Sequence, residues 1–179
     1  DDLSVEAAED ALLHRYLHSY GPATAADLAA WSGVRRRDAD TIWGRAASEL
    51  LAVDVEGREA SLLASDLEVL LQAEVERPSV RLLPYFDSYI LAHAERSYVA
   101  PKDRPAVYRP QGWVSAVLLV DGSARGTWTH ETKRSLLRVT VKPFARLSRA
   151  VSRLLRREVE LLAPFLGCTQ VELRIDDEP

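Results

Sequence analysis

The chain has 179 residues, a formal net charge of −4, one cysteine and no methionine. This length suits one medium domain or two small ones with a buried core. The single cysteine, Cys168, excludes an internal disulfide and fits a reducing compartment. No apolar run approaches the roughly 20 residues of a membrane span. We therefore expect a cytoplasmic globular protein and, since a chain without methionine does not begin at a start codon, a piece of a longer one.

Charge is unevenly distributed along the chain. Residues 131–160 contain nine Lys or Arg and three Glu, a local charge of +6, whereas acidic residues collect at both ends. The negative net charge argues against avid nonspecific binding to nucleic acid. The basic stretch can still bind a polyanion locally, so the composition leaves nucleic-acid binding open.

The first 20 residues predict an amphipathic helix. Ser4 is a favourable N-cap, apolar residues recur at helical spacing, and Gly21-Pro22 ends the helix with the expected C′ glycine. Thr24 then opens a second, short helix. Asp27, three residues on, completes the pattern of a capping box.

A third helix is predicted over residues 36–50, after a tight turn at Gly33. Two short apolar runs follow on either side of Glu56-Gly57 and predict a β-ribbon. Three helices and a β-ribbon are the order of a winged helix-turn-helix. We assign this element to residues 1–66.

Residues 67–112 carry few periodic cues. We assign them to a connector, with one short helix over 66–76 and another short element near 88–93.

Residues 113–179 predict a small antiparallel sheet, in the manner of a partial barrel, with one long helix. Asp121-Gly122 between two β-rich runs is a strong hairpin signal, because both central residues of a type I′ turn need positive φ. Pro143 is predicted to open the long helix, which runs to about residue 165, and a last strand is expected over 169–175. The fold class is therefore α+β.

Two arginine-rich helix faces are candidate DNA-binding surfaces. The third helix would present five candidate contacts: Arg35, Arg36, Arg37, Thr41 and Arg45. Arginine makes bidentate contacts with guanine or phosphate, and short polar groups read base edges. A phosphate at the helix start would also meet free backbone N–H groups. The alternative is a solvated helix start, and winged helices also serve as protein-contact modules.

The long helix supplies the second face. Its arginines recur at a spacing that places them opposite the apolar stripe: Arg146, Arg149, Arg153, Arg156 and Arg157. Such a face can follow a phosphate backbone, and Lys133 and Arg134 in the preceding turn would extend it. The alternative is surface charge that balances the acidic termini.

Other groups of polar residues in the sequence do not require a metal-binding or catalytic role. His14 and His18 lie four residues apart, but the segment lacks a third ligand and the glutamate of an H-E-x-x-H zinc motif. Asp87 and Glu95 can form a general acid–base pair, although Asp87 also suits a turn or cap. We find no Gly-rich phosphate loop, nucleophile motif or Cys/His cluster. We therefore assign no catalytic residue, metal or cofactor.

Residues 82–128 carry a family resemblance. It rests on five motifs: Leu82-Leu83-Pro84-Tyr85-Phe86-Asp87-Ser88-Tyr89, Arg96-Ser97, Gly112-Trp113, Val120-Asp121-Gly122 and Gly126-Thr127-Trp128. These motifs resemble those of the bacterial winged helix DNA-binding domain family, which includes the AlkZ-like DNA glycosylases. The resemblance extends upstream through residues 16–24 and departs from the usual pattern at 93–95.

The resemblance implies double-stranded DNA as partner, a DNA-repair role at the nucleoid and no membrane association. Glycosylases of this family unhook alkylated and crosslinked bases and carry a Gln-x-Gln or Gln-x-Asp motif near their N-termini. Gln72, Gln111 and Gln170 do not begin one. We expect the C-terminal, DNA-gripping part of such a glycosylase or of a noncatalytic relative. The alternative, favoured by the acidic net charge, is a transcription regulator or protein-interaction module built on a winged helix.

We predict that the purified 179-residue chain releases no alkylated base from DNA, because it lacks the glutamine motif of the catalytic relatives. The measurement is the release of free base from alkylated duplex during incubation with the chain. Release above that of a buffer control would contradict the prediction.

Overall fold

The computed structural model describes residues 4–176. The termini that hold Asp1, Asp2, Asp177 and Glu178 lie outside the described residues. The chain has the predicted α+β composition. It divides into two units: unit 1 consists of Asp1–Glu74 and Ser88–Arg96, and unit 2 consists of Val75–Asp87 and Ser97–Pro179. None of the described helices combines the length and apolar character needed to cross a membrane.

Unit 1 begins with three helices, α1 (Val5–Tyr20), α2 (Ala25–Ser32) and α3 (Arg36–Arg45). Both predicted N-caps are confirmed. The Ser4 hydroxyl accepts a hydrogen bond from the N–H of Ala7 at 3.2 Å, and Thr24 and Asp27 form a capping box. The three helices bury one apolar core, whose largest members are Leu13, Tyr16, Leu28 and Ile42.

Gly21 ends α1 as predicted, although its backbone is outside the left-handed region that a glycine after a helix often adopts. Its φ is −64°, and its N–H donates to the carbonyl of Leu17 at 2.7 Å. A Cβ at this position would lie 2.6 Å from the same oxygen. Close backbone approach, rather than positive φ, therefore favours glycine here.

α3 is shorter than predicted, since it ends at Arg45 and a 3₁₀ turn, Ala47–Glu49, follows. A glycine just before that end lowers the helix propensity there. The next residues form β1 (Leu50–Val55), which pairs antiparallel with β2 (Arg58–Leu63). The turn between them lies at Glu56-Gly57, with φ of 53° and 83°. The predicted hairpin is confirmed.

Several short elements follow. α4 (Leu67–Gln72) is shorter than the helix predicted over 66–76, and none of its residues is buried. The segment assigned to a connector contains β3 (Val80–Leu83), α5 (Ser88–Leu91) and α6 (Arg104–Val107). Of these, β3 is a strand of the sheet in unit 2, whereas α5 belongs to unit 1.

The sheet of unit 2 has five strands in the order β3-β4-β5-β6-β7. The remaining strands are β4 (Val117–Val120), β5 (Ser123–Lys133), β6 (Leu136–Pro143) and β7 (Gln170–Ile175). Asp121-Gly122, with φ of 49° and 77°, joins β4 and β5 as antiparallel neighbours. The predicted turn is confirmed.

The last strand corrects the prediction of a wholly antiparallel sheet, because β7 pairs parallel with β6. The cause is α7 (Arg149–Phe165), which returns the chain to the end of the sheet where β6 began. A helix of 17 residues spans about 25 Å, close to the length of an eight-residue strand at about 3.3 Å per residue. Pro143 ends β6 and does not open the helix. Instead the Ser148 hydroxyl caps α7 by accepting from the N–H of Val151 at 3.2 Å.

α7 packs its apolar stripe on one face of the sheet. Val151, Leu155, Val159 and Ala163 share a buried cluster with alternate residues of β6, Leu137, Val139 and Val141. The core of unit 2 therefore lies between the long helix and the sheet.

Asp27 is a buried acid that links two segments of unit 1. Its carboxylate accepts from the N–H and the hydroxyl of Thr24, at 2.9 and 2.7 Å, and from the N–H of Ala94 at 2.8 Å. Its residue surface is only 7% exposed. The bond to Ala94 ties the segment that contains α5 to the start of α2.

We predict that Asp27→Ala lowers the free energy of unfolding by about 2–4 kcal/mol, because the Asp27 half of the capping box is lost and the N–H groups of Thr24 and Ala94 lose their partner. Urea unfolding measures the change. The matched control is Asp38→Ala, an exposed acid in the first turn of α3, which should cost less than about 1 kcal/mol. Equal losses in the two variants would contradict the role given to Asp27.

Candidate nucleic-acid interface

The candidate DNA contacts fall in two groups, and all of them are at exposed positions. One group lies at α3 of unit 1: Arg35, Arg36, Arg37, Thr41 and Arg45. The other lies in unit 2: Lys133, Arg134, Arg146, Arg149 and Arg153.

One side of α3 is open to solvent around Arg37. The hydroxyl of Thr41 donates to the carbonyl of Arg37 at 3.0 Å. A Cβ on Gly44 would meet no atom within 4 Å. Positions 37, 41 and 44 share one face of the helix, and Arg35 at the N-cap makes no side-chain capping bond. A ligand can therefore approach this face of α3 closely.

Two of the candidate arginines on α3 have carboxylate partners within the protein. The Nε of Arg36 donates to Asp40 at 2.9 Å, one turn on. The Nη2 of Arg45 lies 2.8 Å from carboxylate oxygens of both Asp10 and Glu9 on α1. The hydrogen bonds that Arg45 donates to Asp10, the larger effect, and to Glu9 raise the pKa of Arg45. Arg45 therefore holds α3 against α1, a role that its exposed position in the sequence pattern did not indicate.

His14 adds a second contact, between α1 and the 3₁₀ turn that follows α3. Its Nε2 lies 2.9 Å from a carboxylate oxygen of Glu49, and its Nδ1 lies 2.7 Å from the carbonyl of Asp10. The hydrogen bond to Glu49 contributes most to raising the pKa of His14 from its ordinary value of 6.5, and the bond to the Asp10 carbonyl contributes next. We call the contacts of Arg45 and His14 with Glu9, Asp10 and Glu49 the α1–α3 clamp.

Both histidines of α1 contact an acidic side chain. His18, the other member of the spaced pair, has its Nδ1 3.0 Å from a carboxylate oxygen of Asp66. Across residues 4–176, no group of three His, Cys, Asp or Glu side chains is arranged to hold a metal ion.

In unit 2, four arginines of α7 share one exposed face. We call this set the α7 arginine face: Arg149, Arg153, Arg156 and Arg157. They fall within about 100° of the helix circumference, opposite the buried stripe. None of the four forms an ion pair within residues 4–176. Glu158, the acid next to Arg157, instead lies 3.8 Å from Arg81.

Arg146 precedes α7, so it does not continue the helical series as we predicted. It lines a cleft of about 280 Å³ at the start of α7, together with Lys102, Arg125 and Ser148. One carboxylate, Asp103, also lines the cleft. The sequence pattern did not single out Lys102 or Arg125, because they lie 23 positions apart in the chain and only the fold brings them to one cleft.

Lys133 and Arg134 lie at the other end of the sheet. Lys133 ends β5, and Arg134 shares the turn before β6 with Ser135, whose carbonyl accepts from the N–H of Thr169 at 2.9 Å. Thr169 directly precedes β7, which follows the C-terminal end of α7. The two cations are therefore placed near the C-terminal end of α7, whereas we expected them beside its beginning.

Comparison with known proteins gives consistent matches. The family described as "DNA glycosylase AlkZ-like" matches residues 2–165. The chain is 31% identical over 175 residues to an interstrand DNA cross-link repair glycosylase of Streptomyces sahachiroi, a match that covers 95% of this chain and 46% of that protein. The solved structure of the Streptomyces sahachiroi DNA glycosylase AlkZ matches with a TM-score of 0.81 and 31% identity, over 96% of this chain and 46% of that one. The chain thus spans about half the length of the relatives it matches.

We predict that His14→Gln destabilises the protein more at about pH 5.5 than at about pH 8.5. The folded pKa of His14 is raised, so its stabilising contribution is fully present below the unfolded pKa and is lost as the pH rises through the folded pKa. Urea unfolding of parent and variant at both pH values measures the difference.

Glu49→Gln is the matched control for this pH dependence, because it removes the carboxylate and keeps the histidine. It should also reduce the extra stability at the lower pH. A cost of His14→Gln that is the same at both pH values would contradict the role of the charged imidazole in the α1–α3 clamp.

Proposed function

Because this chain belongs to the AlkZ-like DNA glycosylase family, as its motifs indicated, we propose that it binds duplex DNA as part of a DNA repair glycosylase or of a noncatalytic relative. The Streptomyces sahachiroi relative is named for interstrand cross-link repair. Enzymes that act on a base in duplex DNA must take it from the stack and hold the flanking strands. We assign this holding role to the present chain.

The α7 arginine face carries the proposal. Its four guanidinium groups lie along about 12 Å of helix without a carboxylate partner in the described residues. A duplex presents about one negative charge per 1.7 Å of its axis, and each phosphate neutralised by a cation releases counterions. The cleft with Lys102, Arg125 and Arg146 adds cations at one end of α7, and Lys133 and Arg134 add cations at the other.

We also propose that α1, α2, α3 and the β1–β2 hairpin form a winged helix-turn-helix, over the range 1–66. The order of the elements supports this assignment, as does Gly33, whose φ of 77° makes the tight turn between α2 and α3. In this arrangement Arg35, Arg37 and Thr41 face the DNA. Arg36 exchanges Asp40 for a phosphate, and Arg45 contributes by holding α3 in place.

A transcription regulator or protein-interaction module is the second candidate function. The net charge of −4 favours it, as do the ion pairs that neutralise Arg36 and Arg45. Such a module has no need of an unpaired arginine face on α7, and for this reason we prefer DNA binding.

We predict that replacing Arg149 and Arg153 together with alanine weakens binding to any duplex. The slope of log K against log salt concentration should fall in magnitude by about 1.8, since each lost phosphate contact removes about 0.9. Fluorescence anisotropy titrations of a labelled duplex at several salt concentrations measure both effects.

The matched control replaces Arg81 and Arg174, which removes the same charge from the same unit. These arginines are already paired, Arg81 with Glu158 at 3.8 Å and Arg174 with Glu172 at 2.7 Å. The salt slope of the control should therefore stay close to that of the parent. Equal effects in the two variants, or no duplex binding by the parent at low salt, would favour the interaction module.

A further inference from the structure

Three aromatic side chains meet on the surface of unit 2, and we call them the aromatic triad: Tyr85, Phe86 and Trp113. The ring centroids of Tyr85 and Trp113 lie 5.4 Å apart, and those of Phe86 and Trp113 lie 5.2 Å apart in an edge-on arrangement. Trp113 is therefore the centre of the cluster. The rings contact one another, yet the three residues remain 41%, 46% and 45% exposed.

The segments that carry the triad have a backbone that non-glycine residues seldom adopt. Phe86 has a φ of 57°, and Gln111, two residues before Trp113, has a φ of 63°. Bulky residues enter the left-handed region only where the surrounding structure holds them there, and such positions concentrate at functional sites. The backbone at Phe86, and the turn that leads into Trp113, are thus held in a conformation that is unfavourable by local preference.

Hydrogen bonds close the loop around Trp113. The N–H of Arg109 donates to the carbonyl of Trp113 at 2.8 Å, and the N–H of Ser115 donates to the carbonyl of Val107 at 2.8 Å. The other segment begins at Leu83, whose carbonyl accepts from the indole N–H of Trp128 at 2.8 Å. The two anchored segments present the rings with little freedom left to lose on binding.

The chemistry of this surface suits an unpaired nucleobase. Other large apolar residues of unit 2 are also exposed, among them Leu161 and Phe165, but at the triad three aromatic rings meet. Aromatic rings stack on the flat face of any base, and a neighbouring cation contacts the sugar-phosphate backbone. Arg109, exposed and joined to Trp113 through the backbone, supplies such a cation.

We propose that the aromatic triad stacks on an unpaired nucleobase of the bound DNA, with Trp113 as the principal contact and Arg109 beside the adjoining phosphate. The choice of a nucleobase as ligand rests on the proposed DNA-binding function. The triad then holds a base that has left the stack, while the α7 arginine face holds phosphates.

The test compares two labelled single strands of roughly twelve nucleotides, a length within the range of known single-strand sites. One is oligothymidylate and the other is an abasic strand with the same number of phosphates. The parent chain should bind the thymine strand about fivefold or more tightly, since each stacked base contributes at least about 1 kcal/mol. Trp113→Ala should abolish this preference, and Trp113→Phe, which keeps a ring, should retain much of it.

Two further variants separate stacking from charge and from folding. The Arg149 and Arg153 double replacement should weaken binding to both strands by the same factor and leave the preference intact. Tyr85→Ala should reduce the preference for the thymine strand without altering the loop around Trp113. If near-ultraviolet circular dichroism shows that Trp113→Ala is unfolded, the strand preference of Tyr85→Ala tests the triad in its place.

Each remaining outcome overturns the proposal. Equal affinity of the parent for the two strands, or a preference that survives both alanine variants, removes the triad from the DNA site and leaves the α7 arginine face unaffected. Absence of binding to any DNA overturns the proposed function and the triad with it.

Discussion

The packing of α7 against the sheet of unit 2 is the constraint on which the proposed interface depends. Val151, Leu155 and Val159 are buried in the shared core, and each side chain of this kind contributes about 1.5–3 kcal/mol when removed from water. These contacts set the rotation of the helix about its axis. Since the four arginines lie on the other side, they are exposed and have no ion-pair partner within residues 4–176. The charged face therefore follows from the position of the apolar one.

In unit 1, polar contacts as well as apolar packing position α3. The α1–α3 clamp joins Arg45 and His14 to three carboxylates, and it uses one of the arginines that the sequence pattern proposed for DNA. Arg45 and Arg153 are both exposed arginines on helices with an apolar stripe, yet within residues 4–176 Arg45 is paired with acids and Arg153 is not. The role of each arginine thus depends on the carboxylates that the fold brings near it.

Signals that act within a few residues were read correctly from the sequence. Four local features form as predicted, because their hydrogen bonds and dihedral angles involve neighbours in the chain. They are the Ser4 cap, the capping box of Thr24 and Asp27, and the turns at Glu56-Gly57 and Asp121-Gly122. The errors arose where one local signal fits two structures. Proline suits the first turn of a helix but also the end of a strand, and Pro143 lies at the end of β6.

The sequence by itself determined where the main helices and strands form, which family the chain resembles, and the spacing of the arginines along α7. Tertiary structure alone decided that β7 runs parallel to β6, that Arg45 is paired across 35 residues, and that Tyr85 and Phe86 meet Trp113. The physical reason is range. Capping, turn geometry and helical periodicity are set by residues close in the chain, whereas ion pairs and ring contacts require atoms a few ångströms apart, and only the packed core brings distant segments to such distances.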